Sequence, residues 1–221
     1  DYSTDAVAQH AVALLLAGAG SLVDYVCSVE RGDWQRCSGF SYYDYPMVEV
    51  KGKTLGIFGY GSIGKRVAEI GAALGMRVIV CTRTRRPGCP FPYVDKETLF
   101  SQSDFLSLHC PQTPETQGLI DARALAKMKR TAILINTARG GLIDESALAA
   151  ALNENRIAGA YLDVVSEEPV RADNPLLKAK NCRLTPHVAW QPLETRLRLH
   201  KRVEEHLAAF LSGSPRDVVG V

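Results

Sequence analysis

No apolar run in this sequence reaches the ~18–20 residues that a membrane-spanning helix needs. The longest candidate, residues 11–20, is too short and opens an amphipathic stretch. No basic n-region with a cleavage site precedes it, so it does not read as a signal peptide. Neither sign of charge dominates: 26 Lys+Arg stand against 24 Asp+Glu, a formal net charge of +2. That balance argues against a strongly basic nucleic-acid binder and an acidic solvating tail. There is no C-x-x-C pair and no Cys/His spacing that would hold zinc, so no metal site is expected. The six cysteines (Cys27, Cys37, Cys81, Cys89, Cys110 and Cys182) are scattered, and a chain of 221 residues needs no disulfide staples. They read as free thiols of a reducing, cytoplasmic setting. Repeats and low-complexity segments are absent too. What is present is apolar material, 46% of residues, which excludes a disordered or fibrous chain and supplies a large core.

Ser3 or Thr4 is placed to cap a helix over Asp5–Glu30, most of it buried through Val7, Ala11, Leu14, Leu15, Val23 and Val26. Gly32 ends it. Residues 33–48 follow as an aromatic arm without a period. From Lys53 onward, short apolar runs alternate with helical stretches. Strands are expected at Thr54–Phe58, Arg77–Cys81, Phe105–Leu108, Ala132–Asn136, Gly159–Val164 and Arg183–Pro186. Helices are expected at Ile63–Leu74, Lys96–Gln102, Asp121–Met128, Ser146–Asn153 and Pro192–Leu211. This alternation predicts an α/β fold: a doubly wound parallel sheet of Rossmann type with helices on both faces.

Gly59-Tyr60-Gly61-Ser62-Ile63-Gly64 matches G-x-G-x-x-G between an apolar strand and a helix, the context that makes this pattern specific for a dinucleotide. Gly59 permits the tight turn, Gly61 lets the backbone approach a pyrophosphate, and Gly64 lets the helix pack closely on the strand. The helix N-terminus favours the diphosphate charge. An acid about 20 residues further on would accept from the ribose hydroxyls of NAD. Here the second strand ends Cys81-Thr82-Arg83-Thr84-Arg85-Arg86, with no acid. Arg83, supported by Thr82 and Thr84, offers donors to a 2′-phosphate, which favours NADP with NAD as the alternative.

Three later strand ends carry Asn136-Thr137-Ala138-Arg139, Leu162-Asp163 running to Glu168-Pro169, and Thr185-Pro186-His187. Ligands of open parallel sheets bind at the carboxyl ends of strands. Arg139, Glu168 and His187 are therefore expected to share one crevice. Together with the 109–116 loop (His-Cys-Pro-Gln-Thr-Pro-Glu-Thr) and His187–Trp190, these segments make the sequence resemble the D-2-hydroxyacid dehydrogenase family over nearly its whole length. Within it, Ala-Val-Ala-Gln-His at 6–10, Tyr45-Pro46 and His187–Trp190 look most like the glycerate dehydrogenase or hydroxypyruvate reductase branch.

The resemblance implies roles. Arg139 would hold the substrate carboxylate and polarise its keto oxygen, His187 would protonate that oxygen, and Glu168 would pair with His187. The chemistry agrees: a 2-keto acid is an anion that suits a guanidinium fork, and imidazole exchanges protons near neutral pH. Asp163 would meet the nicotinamide carboxamide. Ser62, Ile63, Thr116, Thr137, Ala138 and Ala189 would add cofactor contacts. Cys110 and Pro111 would line the adenosine side, with His109 shaping their loop. Trp190 reads as either substrate pocket or core. His10 and His206 read as packing or surface residues.

The implied activity is hydride transfer between NAD(P)H and a small 2-keto acid, hydroxypyruvate or glyoxylate. The alternatives are a nucleotide-binding regulatory protein on the same fold, or a relative acting on phosphoglycerate. The expected organisation is a dinucleotide domain over 1–188, with a dimer-forming helix and arm at about 5–48, and a return segment of a substrate domain over 189–221. In the family a first part of the substrate domain precedes the helix that opens this sequence. The resemblance therefore implies a partial chain with weak or no turnover, and a homodimer.

Overall fold

The computed structural model describes residues 2–218. Strands β1 (Thr54–Phe58), β2 (Arg77–Cys81), β3 (Phe105–Leu108), β4 (Ile133–Asn136), β5 (Gly159–Leu162) and β6 (Cys182–Leu184) form one sheet, ordered β2-β1-β3-β4-β5-β6. Every pairing is parallel. All residues of β1, β3, β4 and β5 are buried, and this two-sided burial is why they appear in the sequence as unbroken apolar runs. Outside β2, a single parallel bridge from Val80 to Tyr93 stands where a further strand would lie. With that remnant counted, the order is that of a Rossmann domain.

The helices are α1 (Thr4–Ala19), α2 (Leu22–Glu30), α3 (Asp33–Arg36), α4 (Ser62–Ala73), α5 (Lys96–Gln102), α6 (Ala122–Lys127), α7 (Glu145–Asn153) and α8 (Leu193–Leu211). Ala11 and Leu15 of α1 and Val67 of α4 join Leu55, Ile57, Phe105 and Ile135 in the core on one face of the sheet. Leu99 of α5, Leu125 of α6 and Leu148 of α7 join Leu106, Leu108 and Leu134 on the other. Asp95, Asp121 and Asp144 each cap the helix that follows, accepting from the N–H three residues on.

The expected single helix over Asp5–Glu30 is two helices. Ser21 breaks it in the left-handed region at φ 46°, and α1 and α2 meet at a 64° bend. The break is held from outside: Ser21 Oγ donates to the Pro46 carbonyl at 2.5 Å, and Val48 N–H donates to the Ala19 carbonyl at 2.7 Å. Ser3 stands at the N-cap of α1 but makes no side-chain cap bond. The expected burial holds for α1 only. In α2, Ser28 is the one buried residue, while Leu22, Val23, Val26 and Val29 are exposed. An ion pair between Asp24 and Arg183 ties α2 to β6. The aromatic arm folds back on α2, where Tyr25 meets Tyr45 edge-on at 5.1 Å. Phe40 (90% exposed) and Tyr43 (79%) project outward. Helix α8 buries only Thr195, and Leu193, Leu197, Val203, Leu207 and Phe210 are exposed. Among the described residues, no single helix is long and apolar enough to cross a membrane.

Candidate active site

The carboxyl end of β1 turns at Gly59, whose φ of +96° only glycine adopts freely. A side chain there would strike the backbone of His109 and Cys110, and one at Gly64 would reach 2.0 Å from the Gly59 carbonyl. These two contacts let α4 start directly on the strand. Gly61, the N-cap of α4, has nothing within 4 Å of where a Cβ would stand and, having no side chain, makes no cap bond to the helix. The turn thus offers open space at a helix N-terminus, as an approaching diphosphate requires.

Beside it opens a crevice of about 570 Å³. Of the sequence-predicted residues, Ile63, His109, Cys110, Pro111, Thr137, Ala138 and Ala189 line it together with Arg139 and His187. Cys110 and Pro111, expected on the adenosine side, therefore share the crevice with Arg139 and His187. Thr137 Oγ1 is buried without a hydrogen-bond partner, a donor and acceptor that a ligand in the crevice would satisfy. The glycine turn and this orphan hydroxyl both fit a dinucleotide. His109 Nε2 lies 2.8 Å from Ser107 Oγ, and burial lowers the imidazole pKa to about 4, so the ring is neutral at pH 7. Burial pushes the Cys110 thiol up to about 11, which keeps it protonated and unreactive.

Arg139 follows β4. The buried Asn136 shapes its turn, accepting from Ala138 N–H and donating to the Arg139 carbonyl. The guanidinium donates to the Ala138 carbonyl at 2.6 Å and is otherwise exposed to the crevice. His187 follows β6 at φ 54°, a left-handed conformation uncommon for a non-glycine residue. Its Nδ1 lies 2.6 Å from Glu168 Oε2. Glu168 Oε1 in turn accepts from Val165 N–H at 3.2 Å. The Nε2 of His187 has no protein partner among the described residues, and the ring lines the crevice. Trp190 and Gln112 complete the wall, with Tyr2, Ser3 and Val7 from the start of α1.

Other predicted residues lie elsewhere. Thr82 is half-buried at the end of β2, and Arg83 and Thr84 are exposed beyond it, outside this crevice. Thr116 ties its own loop, donating to the Pro111 carbonyl at 2.7 Å and accepting from Thr113 N–H at 2.8 Å. Asp163, expected at the carboxamide, has a fully enclosed side chain. It accepts from Thr185 Oγ1 at 2.5 Å, Val188 N–H at 3.0 Å and Ala189 N–H at 2.8 Å. Sequence reasoning missed two supports. His10, read as packing or surface, reaches Thr185 Oγ1 at 3.0 Å. Glu145 accepts from Ser166 N–H, Ser166 Oγ and Asn174 Nδ2, anchoring the loop that carries Glu168. A carboxylate three residues after Gly-Gly-Leu carries no signal for that role, because its partners lie more than 20 residues away.

Residues 12–189 match the family model described as D-isomer specific 2-hydroxyacid dehydrogenase, NAD binding domain. The chain is 45% identical to a glycerate dehydrogenase of Methylorubrum extorquens, over 99% of this chain and 69% of that protein. It is 44% identical to a hydroxypyruvate reductase of Blautia hydrogenotrophica over the same shares. Among solved structures, an acyclic imino acid reductase in complex with NADPH and D-Arg superposes with a TM-score of 0.89 at 36% identity, covering 100% of this chain and 69% of that one.

Proposed function

This chain belongs to the D-isomer specific 2-hydroxyacid dehydrogenases, NAD(P)-dependent oxidoreductases acting on CH–OH groups, and on that premise we propose that Arg139, Glu168 and His187 carry the reduction of a small 2-keto acid. Hydroxypyruvate and glyoxylate are the substrates we assign, giving D-glycerate and glycolate. The observation that carries this reading is the 2.6 Å bond from His187 Nδ1 to Glu168, which leaves Nε2 for the crevice that Arg139 also lines.

When bound, the nicotinamide supplies the hydride. The chain's residues do the rest. The Arg139 fork pairs with the substrate carboxylate and orients the keto group. His187 gives the Nε2 proton to the carbonyl oxygen as negative charge develops on it. Glu168 keeps the Nδ1 proton in place, so the ring is left neutral with a single, defined tautomer. Asp163 holds the backbone that follows His187. The Gly59–Gly64 turn, with Ser62 and Ile63, and Thr137 receive the dinucleotide.

NADP is the preferred cofactor in this reading. Support comes from the missing acid at 81–86, from Arg83 with Thr82 and Thr84, and from the NADPH-bound relative. A homodimer through α2 and the arm is supported by the exposed Leu22, Val26, Val29, Trp34 and Phe40. A cytoplasmic setting with neither nucleic-acid nor membrane partners is supported by the balanced charge and scattered cysteines. We assign residues 1–188 to the dinucleotide domain and 189–221 to the return segment of a substrate domain. A panel of 2-keto acids tested with NADPH and NADH on the full-length protein checks the substrate reading. No preference for hydroxypyruvate or glyoxylate would overturn it.

A further inference from the structure

The strained turn at His187 is held by a buried carboxylate, and that carboxylate is itself held from α1. Thr185 Oγ1 donates to Asp163 Oδ1 at 2.5 Å. Its one proton is thereby used, so the same oxygen accepts from His10 Nε2 at 3.0 Å. This fixes a proton on His10 Nε2, which also lies 3.4 Å from Asp163 Oδ1. On its other side the carboxylate takes the Val188 N–H on Oδ1 and the Ala189 N–H on Oδ2. The loop returns the contact, since His187 N–H donates to the Asp163 carbonyl at 2.8 Å. Burial alone would raise the Asp163 carboxyl, but the bonds from His10, Thr185, Val188 and Ala189 outweigh it and hold the group below its ordinary value.

A left-handed non-glycine residue persists only where its surroundings over-determine it. The two N–H groups after His187 supply that constraint only while the Asp163 carboxylate keeps its orientation. His10 and Thr185 set that orientation, because the enclosed side chain has no solvent to turn toward. We infer that His10 is a positioning residue for proton transfer: through Thr185 and Asp163 it holds the His187 turn so that Nε2 faces the crevice. This rests on the reading of His187 as acid/base. It gives α1 a task beyond packing, in a helix whose Val7 lines the same crevice.

The test is amide hydrogen exchange followed by NMR in the unliganded protein, with kinetics on the same variants made in the full-length protein. In His10→Ala, the Val188 and Ala189 amides are expected to exchange ~10-fold faster, while Leu106 and Leu134 of the central strands stay within ~2-fold. kcat for keto-acid reduction is expected to fall ~10-fold or more, with KM moving less. His10→Gln, which keeps a donor near the Nε2 position, is expected to restore both. Thr185→Val removes the bridge and is expected to reproduce His10→Ala, and the double variant to add little to either. Uniform acceleration across the sheet would reduce His10 to a packing residue and overturn the inference. Unchanged exchange at Val188 and Ala189, or failure of His10→Gln to rescue, would overturn it too. His187→Ala, measured alongside, separates the two readings. Retained turnover in that variant refutes the acid/base role without altering the exchange result.

Discussion

Glu168 Oε2 lies 2.6 Å from Nδ1 of His187, although the two residues sit on different loops 19 positions apart. Each loop has its own anchor. Asp163 holds the backbone after His187, and Glu145 holds Ser166, two residues before Glu168. Both anchors act on the segment that follows β5, which carries Asp163, Ser166 and Glu168, so this one segment places both members of the pair.

Arg139 is assigned to the substrate carboxylate, which makes geometry as important as charge. Arg139→Lys keeps the charge and loses the parallel donors, so KM for hydroxypyruvate is expected to rise ~10-fold or more. Arg139→Ala is expected to lower kcat/KM by ~10²–10³. NADPH binding by fluorescence titration should be unchanged in both. Loss of NADPH binding would place the arginine on the cofactor instead.

Cofactor preference is assigned to Arg83. NADPH is expected to bind more tightly than NADH, and Arg83→Ala to weaken NADPH ~10–100-fold with little change for NADH, the range of a charge-assisted hydrogen bond. Thr82→Asp should shift preference toward NADH. Tighter NADH binding by the unmodified protein would contradict this assignment.

How far the sequence could be read shows in the contrast between the sheet and the first helix. Strands such as Ile133–Asn136 are buried on both faces, so their apolar character depends on nothing distant, and they were legible to within a residue or two. The break at Ser21 was not. It exists because Pro46 and Val48 return to bond Ser21 and Ala19, and a helical period carries no record of that. The same rule divides the site. The glycine turn and the strand-end residues Arg139 and His187 follow from position in a parallel sheet. His10 and Glu145 act through partners far along the chain, 175 residues away in the case of His10 and Thr185.

Acid should destabilise the fold in two steps. Burial lowers His109 from its ordinary 6.5 to about 4, so the folded state resists its protonation. That contribution is complete above pH 6.5 and is lost as pH falls toward 4, at most about 3 kcal/mol. Asp163 is shifted below its ordinary 3.8, so its contribution is complete above that value and is lost as pH falls through the folded one. Urea unfolding across this range should show the first loss vanish in His109→Gln and the second in Asp163→Asn. Identical pH profiles for variant and parent would contradict the corresponding assignment.

The exposed apolar face of α2 and the arm predicts a dimer in solution. Sedimentation should give twice the chain mass at micromolar concentration, and Val26→Glu should give a single chain with the same helical content. A monomer mass for the unmodified protein would remove the dimer from the account.

The most direct test of the central claim is the turnover of His187→Ala on hydroxypyruvate, made in the full-length protein, with NADPH affinity measured on the same sample. The account predicts an NADPH Kd within ~2-fold of the parent and a kcat lowered by ~10²–10⁴. Intact cofactor binding with near-parental kcat would contradict it, because the proton would then come from a group other than the imidazole that Glu168 holds.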